Sequence, residues 1–347
     1  MATPDTATIT PCHIRGLSAY KMQNRSLSLI VVPQLGGKIV SLCSGVEKQT
    51  EWLWHNGRIS YKEAAIQHSY TEQHDTGGID ECFPSVDACT LPSHAGPLAG
   101  LHLPDHGELY GRPWRETSVG VDSNGAAFIT LKQSCSTLPC EFQRTLKLSP
   151  AQSTVSLEYQ LNNPGDLPFP FSWCLHPALQ LRPGMHLILP KHHRLHCSFA
   201  TPNAPVTTDE VVTWPKTANA YDLSLIPDPE AEKPFAAKLL SATDLSDCGN
   251  GGALMMAGLN NPYTNEQLLF ELPITQIPHI ALWLNYRSWA GDGGRPHFNL
   301  VLEPAIGNAD SLKTLIERGT APTVPPQSSR SWSFQIHIKK TQNTSAQ

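Results

Sequence analysis

Along most of this chain apolar side chains recur at alternate positions in short runs, broken by turns rich in Gly, Pro, Asn and Asp. The segment "STVSLEYQLNN" (153–163) is the cleanest case. Val155, Leu157, Tyr159 and Leu161 fall on one face, and Ser156, Glu158 and Gln160 on the other. A period of two with one apolar face predicts an antiparallel strand. By the same pattern, strands are expected over 27–33, 38–42, 126–134, 142–150, 185–190, 253–259, 266–273, 279–286 and 297–304, with "QLGG" turning the first into the second. Helical spacing is convincing only in "ADSLKTLIERG" (309–319), where Leu312, Leu315 and Ile316 make a stripe. Asp310 is placed to cap that helix and Gly319 to close it. A further short helix is expected near 60–68.

Many strands with almost no helix restrict the fold, because an antiparallel sheet with one apolar face must bury that face on another sheet. The expected architecture is all-β, one large antiparallel β-sandwich with few short helices. It is expected to form a single domain over 1–347, with frayed ends at about 1–10 and 339–347. The stretch 43–125 is poorer in pattern and carries most of the unusual polar segments, while 191–250 is expected to form long connecting loops around a few strands; loops are the usual carriers of binding residues.

Composition sharpens this picture. Only 16% of residues are charged, while 30 prolines and 24 glycines supply the punctuation of a turn-rich β protein. A formal net charge of -5 without basic runs argues against nucleic acid as a partner. No apolar run is long enough to cross a bilayer, and "MATPDTATIT" lacks the basic-then-apolar order of a secretory signal. Nine scattered cysteines, odd in number, read as reduced thiols, so the expected compartment is the cytoplasm.

Five segments concentrate groups capable of chemistry. "GGIDECFPSVDAC" (77–89) sets Asp80, Glu81 and Asp87 beside Phe83 and Pro84; it reads either as an acidic turn against a buried ring or as carboxylates for hydroxyl groups. "LPDHGELYGRPW" (103–114) places His106 beside Asp105, with Glu108, Arg112 and Trp114 following. A neighbouring carboxylate can fix the tautomer of such an imidazole, and a Trp ring can stack on a sugar; the same residues also suit a solvated turn with Trp114 in the core.

In "FPFSWCLHPALQL" (169–181), His176 is expected to end a strand just before Pro177, where it could exchange protons near neutral pH or simply bond a carbonyl. In "HFNLVLEPAIGNADSL" (297–312), Glu303 is likewise expected at a strand end, as a positioned base or as a satisfied rim residue. "HIALWLNYRSW" (279–289) puts Trp283, Asn285, Arg287 and Trp289 on one parity, suited to a sugar face or, in part, to core packing. "KHHRLHC" (191–197) does not match zinc-ligand spacing, and "GDGGRPH" (291–297) lacks the Lys-Ser/Thr ending of a phosphate loop. No metal or cofactor is expected.

Taken in order, "GGIDECFPS", "DHGELYGRPW", "SWCLHPALQL", "HIALWLNY" and "LEPAIGNADSL" resemble the aldose 1-epimerase (galactose mutarotase-like) family, of which the chain would be a divergent member. The resemblance implies a β-supersandwich with a monosaccharide or sugar derivative bound over one sheet. It implies an isomerase that interconverts α and β anomers by opening and reclosing the ring. Glu303 of the "LEP" motif is similar to the general base on the anomeric hydroxyl, and His176 of the "HP" motif to the general acid on the ring oxygen. His106 is similar to the histidine that grips the sugar.

Two contacts of the galactose-specific members have no match. "GGIDECFP" stands where those carry an Asn-Arg pair, leaving Arg112 or Arg287 as substitutes, and their acidic sugar contact corresponds at best to Asp222. A phosphorylated sugar would draw on Arg112, Arg115 or Arg287. The alternative is a non-catalytic carbohydrate-binding or sugar-sensing protein on the same fold. A sugar lyase or hydrolase is a more distant option, because lyases commonly add a helical domain.

Overall fold

The computed structural model describes residues 6–45, 50–65, 69–242 and 254–341. Two large sheets dominate, and every strand pair within them is antiparallel. The first has twelve strands. It runs from Thr8–Ile14 through Leu17–Gln23, Leu27–Val32, Lys38–Ser44 and Ile79–Cys82 to Trp173–Gln180. It continues with Phe298–Ile306, His279–Tyr286, Phe235–Ser241, Arg194–Ala200 and Val211–Thr213, and Thr50–Glu51 pairs beside Lys38–Ser44. The second has eight strands, ordered His186–Ile188, Leu254–Asn261, Glu266–Pro273, Ser328–Lys340, Thr154–Asn163, Glu141–Leu148, Ala127–Ser134 and Arg115–Val121.

Alternation assigns the faces. From the larger sheet Ile39, Leu175, Leu179, Leu239, Leu282, Leu300 and Leu302 point inward. From the smaller sheet Ile129, Leu146, Leu157, Phe270 and Ile336 meet them in one continuous core. This is the expected antiparallel β-sandwich. Each apolar face is removed from water by the other, at about 25 cal/mol for each Å² buried.

The expected strands are present, several with the anticipated limits, among them Glu266–Pro273 and His279–Tyr286. The late helix spans Leu312–Arg318 and closes on Gly319 in the left-handed conformation (φ 68°). Its N-cap is Ser311, not Asp310, and that shift frees the Asp310 carboxylate to face the cavity described below. The short helix expected near 60–68 does not form over 60–65; a single turn at Tyr70–Gln73 follows instead, and 66–68 lie outside the described residues.

Residues 8–10 and 339–340, expected to be frayed, lie in strands. Thr8–Ile14 is fully paired with Leu17–Gln23, and the last strand reaches Lys340; residues 1–5 and 342–347 lie outside the description. Eight cysteines are free thiols, and the ninth, Cys248, lies outside the described residues.

Candidate active site

The outward face of the twelve-stranded sheet floors a cavity of ≈ 590 Å³, within the ~300–1,000 Å³ usual for small-molecule sites. Strand register explains which residues meet there. The ladder between Trp173–Gln180 and Phe298–Ile306 pairs Cys174 with Ala305 and resumes at Ala178 with Val301. The interval between holds Pro177 on one strand and Pro304 on the other, and neither has an N–H to give. Carried across that interval, the register sets His176 opposite Glu303.

Directly opposed residues in an antiparallel pair share a face, so the "HP" and "EP" dipeptides come together although far apart in sequence. Both residues are expected at strand ends from sequence, but neither ends its strand: the strands continue to Gln180 and Ile306. The same transverse row continues outward. On one side His176 pairs with Asp80; on the other Glu303 pairs with Ala281, Ala281 with Leu240 and Leu240 with His196.

Glu303 does not stand alone. Both its carboxylate oxygens lie 2.7 Å from Nζ of Lys238, and that ammonium is 3.3 Å from Oδ1 of Asp310. Lys238 reaches diagonally over the intervening strand, where the small side chain of Ala281 leaves room opposite Glu303. Burial works against a charge on Lys238, but Asp310 and Glu303 outweigh it and hold its proton far more firmly than in water. Burial, with the charge of Glu303, pushes the Asp310 carboxyl up, against the pull of Lys238, and Asp87 is raised by burial and by Asp310.

The two histidines are set differently. His176 is buried, and desolvation, followed by the charges of His106 and Lys238, pushes its proton affinity well below the ordinary imidazole range. Its Nδ1 faces the Tyr70 hydroxyl at 3.2 Å, and that hydroxyl donates to Oδ2 of Asp80 at 2.9 Å. Burial alone would raise Asp80, yet Lys38 at 2.5 Å and His74 hold it well below the carboxylate range. His106 adopts a left-handed backbone (φ 57°), with Gly107 following at φ 75°. Gly107 is required there, because a Cβ would lie 1.9 Å from the Phe83 carbonyl oxygen. That bend turns the His106 ring over the cavity, with Nδ1 2.8 Å from Oδ1 of Asp105.

Of the residues expected from sequence, His106, His176, Trp283 and Glu303 line this cavity. The others are placed elsewhere, for identifiable reasons. Asp80 lies behind His176 and reaches it only through Tyr70. Glu81 has the opposite parity and points between the sheets, bound by Arg144 at 2.8 Å, Trp173 Nε1 at 2.7 Å and the Tyr159 hydroxyl at 3.0 Å. Glu108 receives the backbone N–H groups and hydroxyls of Ser136 and Thr137, and Arg112 sits against Glu108 and Ser136.

Trp114 is core, its indole N–H given to the Leu109 carbonyl. Asn285 is wholly buried and stitches the turn by donating to the Trp289 carbonyl and accepting from Trp289 and Ser288. Arg287 lies past the strand's end, half-exposed and paired with Glu230. Arg115 belongs to the far edge of the other sheet, and Asp222 is spent on Ser224.

Sequence pattern missed Lys238, Asp310, Tyr70 and Asn299 as site residues. Lys238 sits in "FAAKLLS", where a single lysine in an apolar strand was the available signal, since a charge is buried at a cost unless paired. Trp289, flagged only by parity, also lines the cavity, edge-on to Trp283 with ring centroids 5.5 Å apart. Asn299 lines the cavity, and its Oδ1 is buried without a protein partner among the described residues.

In "KHHRLHC", His193 meets Ser241 and Cys197 meets a backbone carbonyl, while His196 lies beside Asp209. No group of three or more His, Cys, Asp or Glu suited to a metal ion occurs among the described residues. No helix among them is long and apolar enough to cross a membrane.

The buried histidines carry a pH signature. Burial lowers the proton affinity of His74 and His176, and burial together with His279 brings His193 down to about 4. Below the ordinary imidazole value of about 6.5 the unfolded chain binds protons that the native state refuses, so stability falls as pH is lowered. The drop should begin near pH 6.5 and continue toward 4, before most carboxylates titrate. Calorimetric Tm values should therefore decline between pH 7 and pH 5, and a flat Tm there would contradict neutral burial of these rings.

No family model matches this sequence, and no curated protein matches it. Solved structures do. A galactose mutarotase-like protein from Clostridium acetobutylicum superposes with a TM-score of 0.64 at 13% identity, covering 97% of this chain and 99% of that one. A galactose mutarotase related enzyme from Lactobacillus acidophilus gives 0.61 at 16%, covering 94% and 98%. A protein of Synechocystis sp. PCC 6803 gives 0.62 at 20% identity, with 98% of each chain covered. At these identities the likeness establishes the architecture, and this chain has the β-sandwich fold of the galactose mutarotase-like proteins.

Proposed function

We propose that the protein is an aldose 1-epimerase-like isomerase that interconverts the α and β anomers of a sugar by opening and reclosing its ring. The observation that carries this reading is the placement of His176 and Glu303 opposite each other on the floor of one cavity, with His106 above. Ring opening requires one group to take the anomeric hydroxyl proton and another to give a proton to the ring oxygen. Reclosure on the other face reverses both transfers. Glu303 and His176 are the acid–base pair. The resemblance makes Glu303 the base and His176 the acid in the opening step, and reversal exchanges those parts. Proton transfers of this kind contribute ~10²–10⁴-fold.

Trp283, Trp289 and Asn299 offer ring faces and an amide to the sugar body. Asp310 and Asp87, raised in proton affinity, are suited to its hydroxyl groups.

A second reading, sugar capture without turnover, draws on Lys238, which occupies both oxygens of Glu303. The two separate in one experiment. Freshly dissolved α and β anomers of a panel of free and phosphorylated aldoses are followed by polarimetry and by NMR exchange, with binding measured in parallel. Acceleration proportional to enzyme concentration is the expected result. Tight binding of a sugar with no acceleration on any member would support capture instead.

A further inference from the structure

We infer that Tyr70 is the positioning residue of this site: its hydroxyl, shared between Asp80 and His176, holds the His176 ring as the Nδ1–H tautomer and leaves Nε2 as the atom that exchanges protons with a ligand. The argument is one of counting hydrogens. Asp80 is a carboxylate clasped by the Lys38 ammonium at 2.5 Å, so it can only accept. The single hydrogen of the Tyr70 hydroxyl goes to that carboxylate at 2.9 Å. The tyrosine oxygen can then only accept from the imidazole nitrogen 3.2 Å away, and that nitrogen must be N–H. A neutral imidazole carries one N–H, so Nε2 of His176 holds a lone pair. It has no hydrogen-bond partner among the described residues.

The same residue reaches the second histidine. The Tyr70 ring stacks on His106 with centroids 4.0 Å apart and planes 16° apart. Its backbone N–H donates to Oδ2 of Asp105 at 3.1 Å, and the other oxygen of Asp105 meets Nδ1 of His106. One tyrosine, in a segment without recognisable pattern, therefore orients both rings over the cavity. The consequence is specific. Resting His176 accepts a proton, and the acid role that the resemblance implies belongs to the imidazolium, which must first be loaded at Nε2. The kinetic part of this inference rests on the epimerase reading; the tautomer does not.

The test uses the full chain labelled with ¹⁵N, its His176 signals assigned by comparison with His176→Asn. Long-range ¹H–¹⁵N spectra of the unsubstituted protein should show a pyrrole-type Nδ1 and a pyridine-type Nε2. Tyr70→Phe keeps the stacked ring and removes the hydroxyl. In that variant the two tautomers should mix, kcat should fall roughly tenfold or more with KM within about threefold, and the pH profile should shift. An Nε2–H tautomer in the unsubstituted protein would overturn the inference even if the variant failed to fold. So would an unchanged tautomer in Tyr70→Phe. The expected spectra in a protein inert toward every sugar would retain the tautomer and remove the epimerase reading. Turnover with the wrong tautomer would do the reverse.

Discussion

Glu303→Gln should leave a folded protein that still binds sugar but has lost ~10²–10⁴-fold of its anomer exchange. Glutamine preserves the size of the side chain and one oxygen acceptor for Lys238, but it cannot take up a proton. Lys238 is not stranded by the change, because Asp310 remains 3.3 Å from its ammonium. The stability cost should accordingly stay near the ~1–3 kcal/mol of a weakened charged hydrogen bond, below the ~3–5 kcal/mol expected when a buried charge loses every partner. Saturation-transfer NMR between α and β signals gives the rate, and a urea melt gives the stability. Exchange within about threefold of the unsubstituted protein would remove Glu303 from the reaction. An unfolded variant would instead identify the Lys238–Glu303–Asp310 cluster as a stability element, and Glu303→Asp, which retains the carboxylate, would then decide its chemical role.

How much of this site was legible before any coordinates depended on whether a residue's role was local. Alternation alone places Asn299, Val301 and Glu303 on one face of their strand, and the structure has all three on the cavity side. What alternation cannot say is which face of a strand is the interior. Asp80 and Glu81 are neighbours with similar chemistry, yet one joins the transverse row behind His176 and the other anchors the space between the sheets. A shift of one residue exchanges those fates. Trp114 and Glu108 misled for a related reason. A dense polar segment looks the same whether its groups face a ligand or satisfy one another, and here Ser136 and Thr137 absorb Glu108 from a loop about thirty residues away. Lys238 and Tyr70 gave little signal because their importance arises from register across strands and from a loop fold.

The sheets themselves were far easier to read than their pairing. Alternating runs such as 153–163 and 266–273 carry their own period, so their existence follows from local pattern. The order of strands does not. Ser328–Lys340 inserts between Thr154–Asn163 and Glu266–Pro273, a placement set by long-range packing and not by any motif near the C-terminus. Pro177 also runs against the usual rule, since proline is expected on sheet edges. It is tolerated inside this sheet because the ladder with Phe298–Ile306 is interrupted there, between the Cys174–Ala305 and Ala178–Val301 pairs, an interval that also holds Pro304.

Arg144→Ala should be the most damaging single substitution for the fold, costing about 3–5 kcal/mol, although it lies in neither the cavity nor a recognisable motif. Arg144 is wholly buried, projecting from the eight-stranded sheet to Glu81 of the twelve-stranded one at 2.8 Å and to the Gly37 carbonyl. Its guanidinium also lies 5.3 Å from the Trp114 ring centroid. Alanine leaves the Glu81 carboxyl buried with only Trp173 and Tyr159 as donors, and it leaves a void between sheets. Both defects act in the same direction. The double variant Arg144→Met with Glu81→Leu removes both charges and should recover much of the loss, because a well-packed apolar pair can replace a buried ion pair at little cost. Urea midpoints of the single and double variants measure this directly. If Arg144→Ala unfolds at nearly the same urea concentration as the unsubstituted protein, the pair is not the clasp between the sheets. If the recovered double variant still accelerates anomer exchange, Glu81 belongs to the architecture and not to sugar recognition, as its parity indicates.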